Sequence, residues 1–294
     1  MILRSAHIIQ QKPTYVISDL HIGDGSKKDN FCSNDRENLF YKLLDHVEKQ
    51  NGEIIFTGDL FEFWRFKPEQ IIEKRRYLLD RLNEMDVSYI PGNHDIAALK
   101  LCEEENLIHP FFKKTRRPFL KKINKTKFKF MHGHELDPFI TDTFNNCGRI
   151  LNVFAKVVDL RPNSCILASD VFSDIVLEAG ERILHVWKTL TNEMNEAMQH
   201  FRTLMPNNQV NYLLRGIRTY KMLSRYYKDK QQGLYDIAVV GHTHKAGIFD
   251  NWYFNSGSWT GTMNNFLLIQ PDGNIEPYDW TECGPRANNT IITC

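Results

Sequence analysis

The chain has 294 residues, 42% hydrophobic and 25% charged, which excludes a disordered or fibrous protein and is long enough for one large α/β domain or two ordinary ones. Its 37 basic and 36 acidic side chains leave a formal charge of +1, so the molecule as a whole is not a polyanion binder, although local patches stay open. Six widely and irregularly spaced cysteines, none in a C-x-x-C pair, argue against a disulfide framework or a zinc-thiolate site and for free thiols in a reducing compartment. The opening MILRSAHIIQQKP has no apolar signal core, and no window approaches 18 uninterrupted apolar residues. A cytoplasmic protein is therefore expected, with contact at the inner face of the cytoplasmic membrane left open.

In chain order, TYVISDL (14–20) reads as a buried strand. Residues 35–50 place Leu39, Phe40, Leu43, Leu44 and Val47 on one face of a helix that stops at Asn51-Gly52. EIIFTGDL (53–60) is the next strand. The spacing over 68–85 predicts one amphipathic helix opened by Pro68. VSYIPG (87–92) is a third strand and KFKFMHG (127–133) a fourth. Strand–helix–strand alternation implies parallel pairing and an α/β fold. From about 139 to 232 only helical periodicity is seen, and strands then resume. YDIAVVGHTH (235–244), a hairpin over 245–259, and two strands about the turn Pro271-Asp272-Gly273 complete the chain. The core is thus expected over 1–138 and 233–294, with a helical lid inserted at 139–232.

Five polar clusters follow predicted strands: Asp19-x-His21, Gly58-Asp59, Gly92-Asn93-His94-Asp95, His132-Gly133-His134 and Gly241-His242-Thr243-His244. One such cluster is only a turn. Five in succession, each behind an apolar run, point to loops that converge on one edge of a sheet. Their carboxylates, amide and imidazoles form a mixed oxygen and nitrogen donor set suited to Mn²⁺, Fe or Zn²⁺. Two such ions roughly 3.5–4 Å apart can clamp the attacking and leaving oxygens of a phosphoryl displacement, with a hydroxide between them as nucleophile. Glycine before Asp59, Asn93 and His242 fits a backbone brought close to a ligand.

In this order DLH, GDLFEFW, GNHD, MHGH and GHTH resemble the calcineurin-like metallophosphoesterases, over residues 14–137 and 235–265. The resemblance implies a layered β-sandwich core flanked by helices. It also implies that Asp19, His21, Asp59 and His244 bind one metal ion. Asp59, Asn93, His132 and His242 would bind the second, with Asp59 bridging. His94 would protonate the leaving oxygen or stabilise transition-state charge, and Asp95 would orient His94 or its loop. His134 would stand outside the ligand set. GDLFEFW, where protein phosphatases carry GDxVDRG, points away from that activity.

Within the superfamily the chain looks most like the UDP-2,3-diacylglucosamine pyrophosphatases of lipid A biosynthesis. Those enzymes hydrolyse the pyrophosphate of a UDP-linked acylated sugar with Mn²⁺. One position departs: this chain has His94 where that branch carries Arg, a group that contacts phosphate directly. General phosphodiesterases and nucleotide hydrolases of the superfamily carry GNHD, as here, and a metal-binding interaction module is a third reading. The implied partner is a phosphate-containing small molecule or lipid-linked substrate; no nucleic acid is expected. In the insertion, large apolar residues (Phe139, Phe144, Leu151, Phe154, Val158) are mixed with cations (Arg149, Lys156, Arg215, Arg218, Lys221, Arg225). Amphipathic helices packed on one face account for that pattern. So would a chamber for acyl chains with membrane contact, or helices that pair in a homodimer. Asp137 and Asp142 are candidate contacts to a sugar or nucleotide.

Overall fold

The computed structural model describes residues 12–103, 109–137, 222–288 and 290–291. The run Thr14–Ile17 forms β1, with all four residues buried. Its alternate side chains enter different cores, Tyr15 and Ile17 on one side and Val16 on the other. β2 (Glu53–Thr57) divides in the same way, Ile54 and Phe56 against Ile55, as does β3 (Val87–Ile90), Val87 and Tyr89 against Ile90. A strand covered on both faces has no polar face, which is why these runs read as continuously apolar. β1, β2 and β3 pair in parallel, as the alternation with helices demands.

Helix α1 (Arg36–Lys49) buries Leu39, Phe40, Leu43, Leu44 and Val47, the face its spacing defines. That face packs in the same cluster as Tyr15, Ile17, Ile54 and Phe56. The single helix expected over 68–85 is instead two, α2 (Pro68–Lys74) and α3 (Arg76–Glu84). The break lies at Arg75, where φ is −106° and ψ 18°. Its guanidinium and Nε reach Asp29, Glu37 and the Gly23 carbonyl. A tertiary demand on one side chain thus overrides a favourable helical run.

The second sheet begins with β4 (Phe119–Ile123) and β5 (Thr126–Phe130), an antiparallel hairpin. It continues through β6 (Ile237–Val240) and the hairpin of β7 (Gly247–Phe249) and β8 (Tyr253–Asn255). The order is β4-β5-β6-β8-β7. Asp250 and Asn251, with φ of 48° and 54°, make the tight turn between β7 and β8. β4 was not among the expected strands: two adjacent lysines interrupt the apolar pattern of Phe-Leu-Lys-Lys-Ile. β9 (Asn265–Ile269), β10 (Ile275–Thr281) and β11 (Gly284–Ala287) extend the first sheet, whose order is β11-β10-β9-β1-β2-β3.

Val16, Ile55, Leu267 and Ile269 from the first sheet meet Phe128, Phe130, Val239 and Phe254 from the second in one buried cluster. The result is a sheet-on-sheet core with helices on the outer face of the first sheet, the expected fold class. By its packing the chain divides into Met1–Gly133 with Gly233–Thr293, and His134–Gln232 with Cys294. Of the helical insertion expected over 139–232, residues 222–232 are described, helical through 231, with Met222, Leu223 and Tyr226 buried. The rest, including Asp142, lies outside the described residues. Among those described, Cys32, Cys102 and Cys283 are free thiols, and no helix is long and apolar enough to cross a membrane.

Candidate metal centre

Each polar cluster begins where a strand ends. Asp19 follows β1, Asp59 follows β2, Asn93 follows β3, His132 follows β5 and His242 follows β6. Backbone hydrogen bonds tie these loops together: Asp19 N–H donates to Gly58 C=O at 3.0 Å, His21 N–H to Asp59 C=O at 3.0 Å, and Gly241 N–H to His132 C=O at 2.9 Å. Five of the seven expected ligands have left-handed backbone, with φ of 55° at Asp19, 50° at His21, 50° at Asp59, 69° at His242 and 56° at His244. Such angles are unfavourable for residues with a Cβ and persist only where the surroundings impose them.

The preceding glycines are required by space. A Cβ on Gly58 would sit 2.0 Å from His132 Nδ1, and one on Gly92 would sit 2.2 Å from Asp59 Oδ1. On Gly241 it would meet Ser18 Oγ at 2.4 Å and Asp19 Oδ2 at 2.6 Å.

The side chains then converge. His244 Nε2 lies 3.0 Å from Asp19 Oδ1 and 3.4 Å from His21 Nε2. His21 Nε2 is 3.9 Å from Asp59 Oδ2, and His132 Nε2 is 3.3 Å from that same oxygen. Asn93 Oδ1 lies 3.1 Å from His132 Nε2. The His242 ring stands 5.1 Å from that of His132, edge to face, and its backbone N–H donates to Asp19 Oδ2 at 3.0 Å. Three groups of potential ligands result, each with donor atoms within 4.8 Å of one another: Asp19–His21–His244, His21–Asp59–His94 and Asp19–Asp59–His132.

His134 and Asp137 belong to the other unit. His134 pairs with Glu135 at 3.6 Å, and Asp137 is fully buried.

Whether these groups suit metal ions can be read from their hydrogen bonds. His132 Nδ1–H donates to the Thr57 carbonyl at 2.8 Å. In the neutral ring that leaves the Nε2 lone pair facing Asp59 Oδ2 and Asn93 Oδ1, both acceptors. His21 Nδ1–H donates to Glu62 Oε2 at 3.1 Å, so its Nε2 lone pair likewise turns to the cluster. Asp19 Oδ1 is buried, and the polar atom facing it at 3.0 Å is His244 Nε2. Imidazole nitrogens converging on buried carboxylate oxygens are the environment a cation completes, so the residues fit divalent metal ions. Burial opposes ionisation of Asp19 and Asp59, yet the surrounding imidazoles outweigh it and hold both carboxyls below the ordinary range.

Glu62 is the residue that sequence reasoning missed. It sits within GDLFEFW, and only the oddity of a charge inside an aromatic run marks it. Burial resists its ionisation, but hydrogen bonds from His21 and His94 prevail and lower its pKa to about 2. His94 Nδ1 lies 2.9 Å from Glu62 Oε1, and the His94 backbone N–H donates to Asp59 Oδ1 at 2.8 Å. The other face of the His94 ring stacks on Trp64 at 3.7 Å between centroids, and Trp64 Nε1–H donates to the Asn93 carbonyl at 2.9 Å.

Asp95, expected to act in catalysis or orient His94 or its loop, turns its carboxylate to the loop. It accepts from Tyr89 OH at 2.5 Å, Gly92 N–H at 2.6 Å and Phe61 N–H at 3.0 Å. Burial first, and the charge of Asp59 second, raise its pKa to about 6 despite those donors.

A cavity of about 710 Å³ adjoins His244, lined among others by Lys245, Thr262, Asn264, Trp280 and Asn288. Such a volume falls within the roughly 300–1,000 Å³ of small-molecule sites.

The family model for calcineurin-like phosphoesterases matches residues 12–246. No curated protein matches the chain. A conserved uncharacterized protein from Streptococcus pneumoniae, described as a predicted phosphoesterase, is a solved structure that aligns over 95% of this chain and 94% of its own, with 13% identity and a TM-score of 0.37.

Proposed function

The chain belongs to the calcineurin-like phosphoesterase family, and we propose that it is a dinuclear metal-dependent hydrolase of phosphoric ester and pyrophosphate bonds. The observation that carries this reading is the place of Asp59, whose Oδ2 lies 3.9 Å from His21 Nε2 and 3.3 Å from His132 Nε2. One carboxylate between two imidazoles from different strands is suited to bridge two ions. Asp19, His21 and His244 complete one ligand group, and Asn93, His132 and His242 the other. When bound, the ions would lower the pKa of water and neutralise charge on the phosphoryl oxygens, with Mn²⁺ favoured over Fe or Zn²⁺. His94, clamped between Glu62 and Trp64, would protonate the leaving oxygen or stabilise transition-state charge, and Asp95 holds the loop that carries it.

The favoured substrate is the pyrophosphate of a UDP-linked acylated sugar. Support comes from GDLFEFW and MHGH, from the cations and large apolar residues of the 139–232 insertion, and from a cavity beside His244 large enough for a sugar or nucleoside. A second reading, a general phosphodiesterase, is favoured by one observation: position 94 holds an imidazole hydrogen-bonded to Glu62, where the pyrophosphatase branch has a phosphate-binding arginine.

A hydrolysis panel with Mn²⁺ tests both. It contains a UDP-acyl sugar, a cyclic nucleotide, bis(p-nitrophenyl) phosphate and a phosphopeptide. Preferential release of UMP from the acyl sugar supports the first reading. Turnover of the cyclic nucleotide or bis(p-nitrophenyl) phosphate alone supports the second. Metal-loaded protein that hydrolyses none of them refutes the enzymatic assignment.

A further inference from the structure

We infer that the β4–β5 ribbon is a docking surface for an anionic phospholipid bilayer. From residue 113 to 129 the chain carries nine lysines and arginines, and no acidic residue occurs between Glu105 and Glu135. In a protein of net charge +1 this concentrates positive charge on one stretch of the chain, five of the nine on the ribbon itself. Three of the nine are engaged within the fold. Lys121 pairs with Glu53, Lys114 Nζ donates to the Met85 carbonyl, and Arg116 donates to the Lys113 and Thr115 carbonyls. The side chains of Lys122, Lys125, Lys127 and Lys129 pair with nothing among the described residues.

The register shows why this is unusual. Lys122 lies directly opposite Lys127, and Leu120 opposite Lys129, so these four share one face of the ribbon. Like charges in direct cross-strand register are destabilising, and the Asp236 carboxylate beside Lys127 accepts from its backbone N–H at 2.7 Å rather than pairing with either ammonium. Lysine on an edge strand does deter unwanted pairing, which accounts for Lys122 on β4. It does not account for Lys127 and Lys129, because β5 is paired on both sides, with β4 and β6. A negatively charged surface would relieve the repulsion that the fold leaves in place.

The apolar member of the face selects the kind of surface. Leu120 is 53% exposed among the lysines, while Phe128 and Phe130 of the same ribbon are fully buried. Cations with an exposed aliphatic residue suit a lipid headgroup boundary, where the charges meet anionic headgroups and the leucine enters the apolar margin. Single-stranded nucleic acid would be met by exposed aromatic platforms, and this face offers none.

The test is flotation of the full chain with phosphatidylcholine vesicles, either pure or containing about 30% phosphatidylglycerol, an anionic fraction that gives a negative surface potential. Binding to the anionic vesicles alone is expected, and it should fade as salt rises from about 0.1 M to 0.5 M. The triple variant Lys122→Glu/Lys127→Glu/Lys129→Glu should bind more than about tenfold more weakly, since each cation contributes separately. Leu120→Ser should weaken vesicle binding with its salt dependence intact. Hydrolysis of bis(p-nitrophenyl) phosphate and circular dichroism report that the variants remain folded. Equal binding to neutral vesicles, or binding untouched by the triple variant, overturns the inference. So does tighter binding of an oligonucleotide than of vesicles at the same salt, lost in the same variant.

Discussion

His132 is held by the backbone of the strand beside it: its Nδ1 lies 2.8 Å from the carbonyl oxygen of Thr57. That bond sets the tautomer and aims Nε2 at Asp59 and Asn93. It also explains why glycine must follow Thr57, because any Cβ on Gly58 would strike the His132 ring. One strand end thus supplies Asp59, a candidate ligand, positions a second candidate, His132, and yields the space for it.

From this follows the first prediction. His132→Ala should lower bound metal from two ions to one per chain, and activity by more than about 100-fold, beyond the effect typical of losing an outer-shell partner. Elemental analysis of dialysed protein measures the first and hydrolysis the second. Two ions retained in the variant would remove His132 from the ligand set.

Glu62 is predicted to position two imidazoles without touching the ions. Its carboxylate accepts from both His21 and His94, so Glu62→Gln leaves a neutral amide in a place built for an anion. Metal affinity should fall about 10- to 100-fold, the usual cost of an altered outer-shell partner. The fold should persist. Titration with Mn²⁺ followed by calorimetry decides the matter, and Glu62→Asp should recover part of the affinity. An unchanged affinity in Glu62→Gln would make Glu62 a packing residue only.

Gly92→Ala separates steric demand from backbone strain. Its Cβ would lie 2.2 Å from Asp59 Oδ1 and 2.7 Å from His132 Nε2, so the Asp59 carboxylate must move. Loss of metal binding and of activity is expected. Gly261→Ala is the control: its φ is +61°, but nothing lies within 4 Å of its Cβ. It should cost only the left-handed strain, about 1–2 kcal/mol, and keep its metal. Thermal unfolding and metal analysis on both variants give the comparison.

These residues also show what a sequence discloses. The strand-end clusters were legible because a polar group after an apolar run is a local pattern, and Asp19, Asp59, Asn93 and His132 all stand at such points. The sandwich core could be read from the resemblance, and the helices from their period. Glu62 was hidden because its purpose lies in His21, 41 residues away. Asp95 was legible as part of GNHD, but its role depends on Tyr89 OH and two backbone N–H groups that no spacing displays. β4 was obscured by its lysines, which are the signature of an exposed edge. The break between α2 and α3 could not be foreseen, since Arg75 has good helix propensity and is drawn out of the helix by a partner near the other end of the domain's first crossover.

Arg75 gives the last prediction, on stability. The side chain of Arg75 is 7% exposed and that of Asp29 fully buried, with Nη2 and Oδ2 2.6 Å apart. Nη1 reaches Glu37 at 2.6 Å, and Nε–H donates to the Gly23 carbonyl at 3.1 Å. Asp29 in turn accepts from Gly25 and Phe31 N–H, both at 2.9 Å, so it fixes the loop that follows His21. Removing the guanidinium strands a buried carboxylate, and truncating one partner of such a pair costs about 3–5 kcal/mol. Arg75→Ala should therefore unfold at markedly lower denaturant. Arg81 contacts Asp45 and Glu48 at 2.6 and 2.7 Å, but both acids are about half exposed, 55% and 47%. Solvent screens those pairs, and Arg81→Ala should lose no more than about 1 kcal/mol. Urea unfolding of the two variants beside the parent measures the contrast. Equal losses would mean that the Arg75–Asp29 pair contributes no more than a surface bridge. A large loss at Arg75 together with weakened metal binding would show that the loop after His21 depends on it.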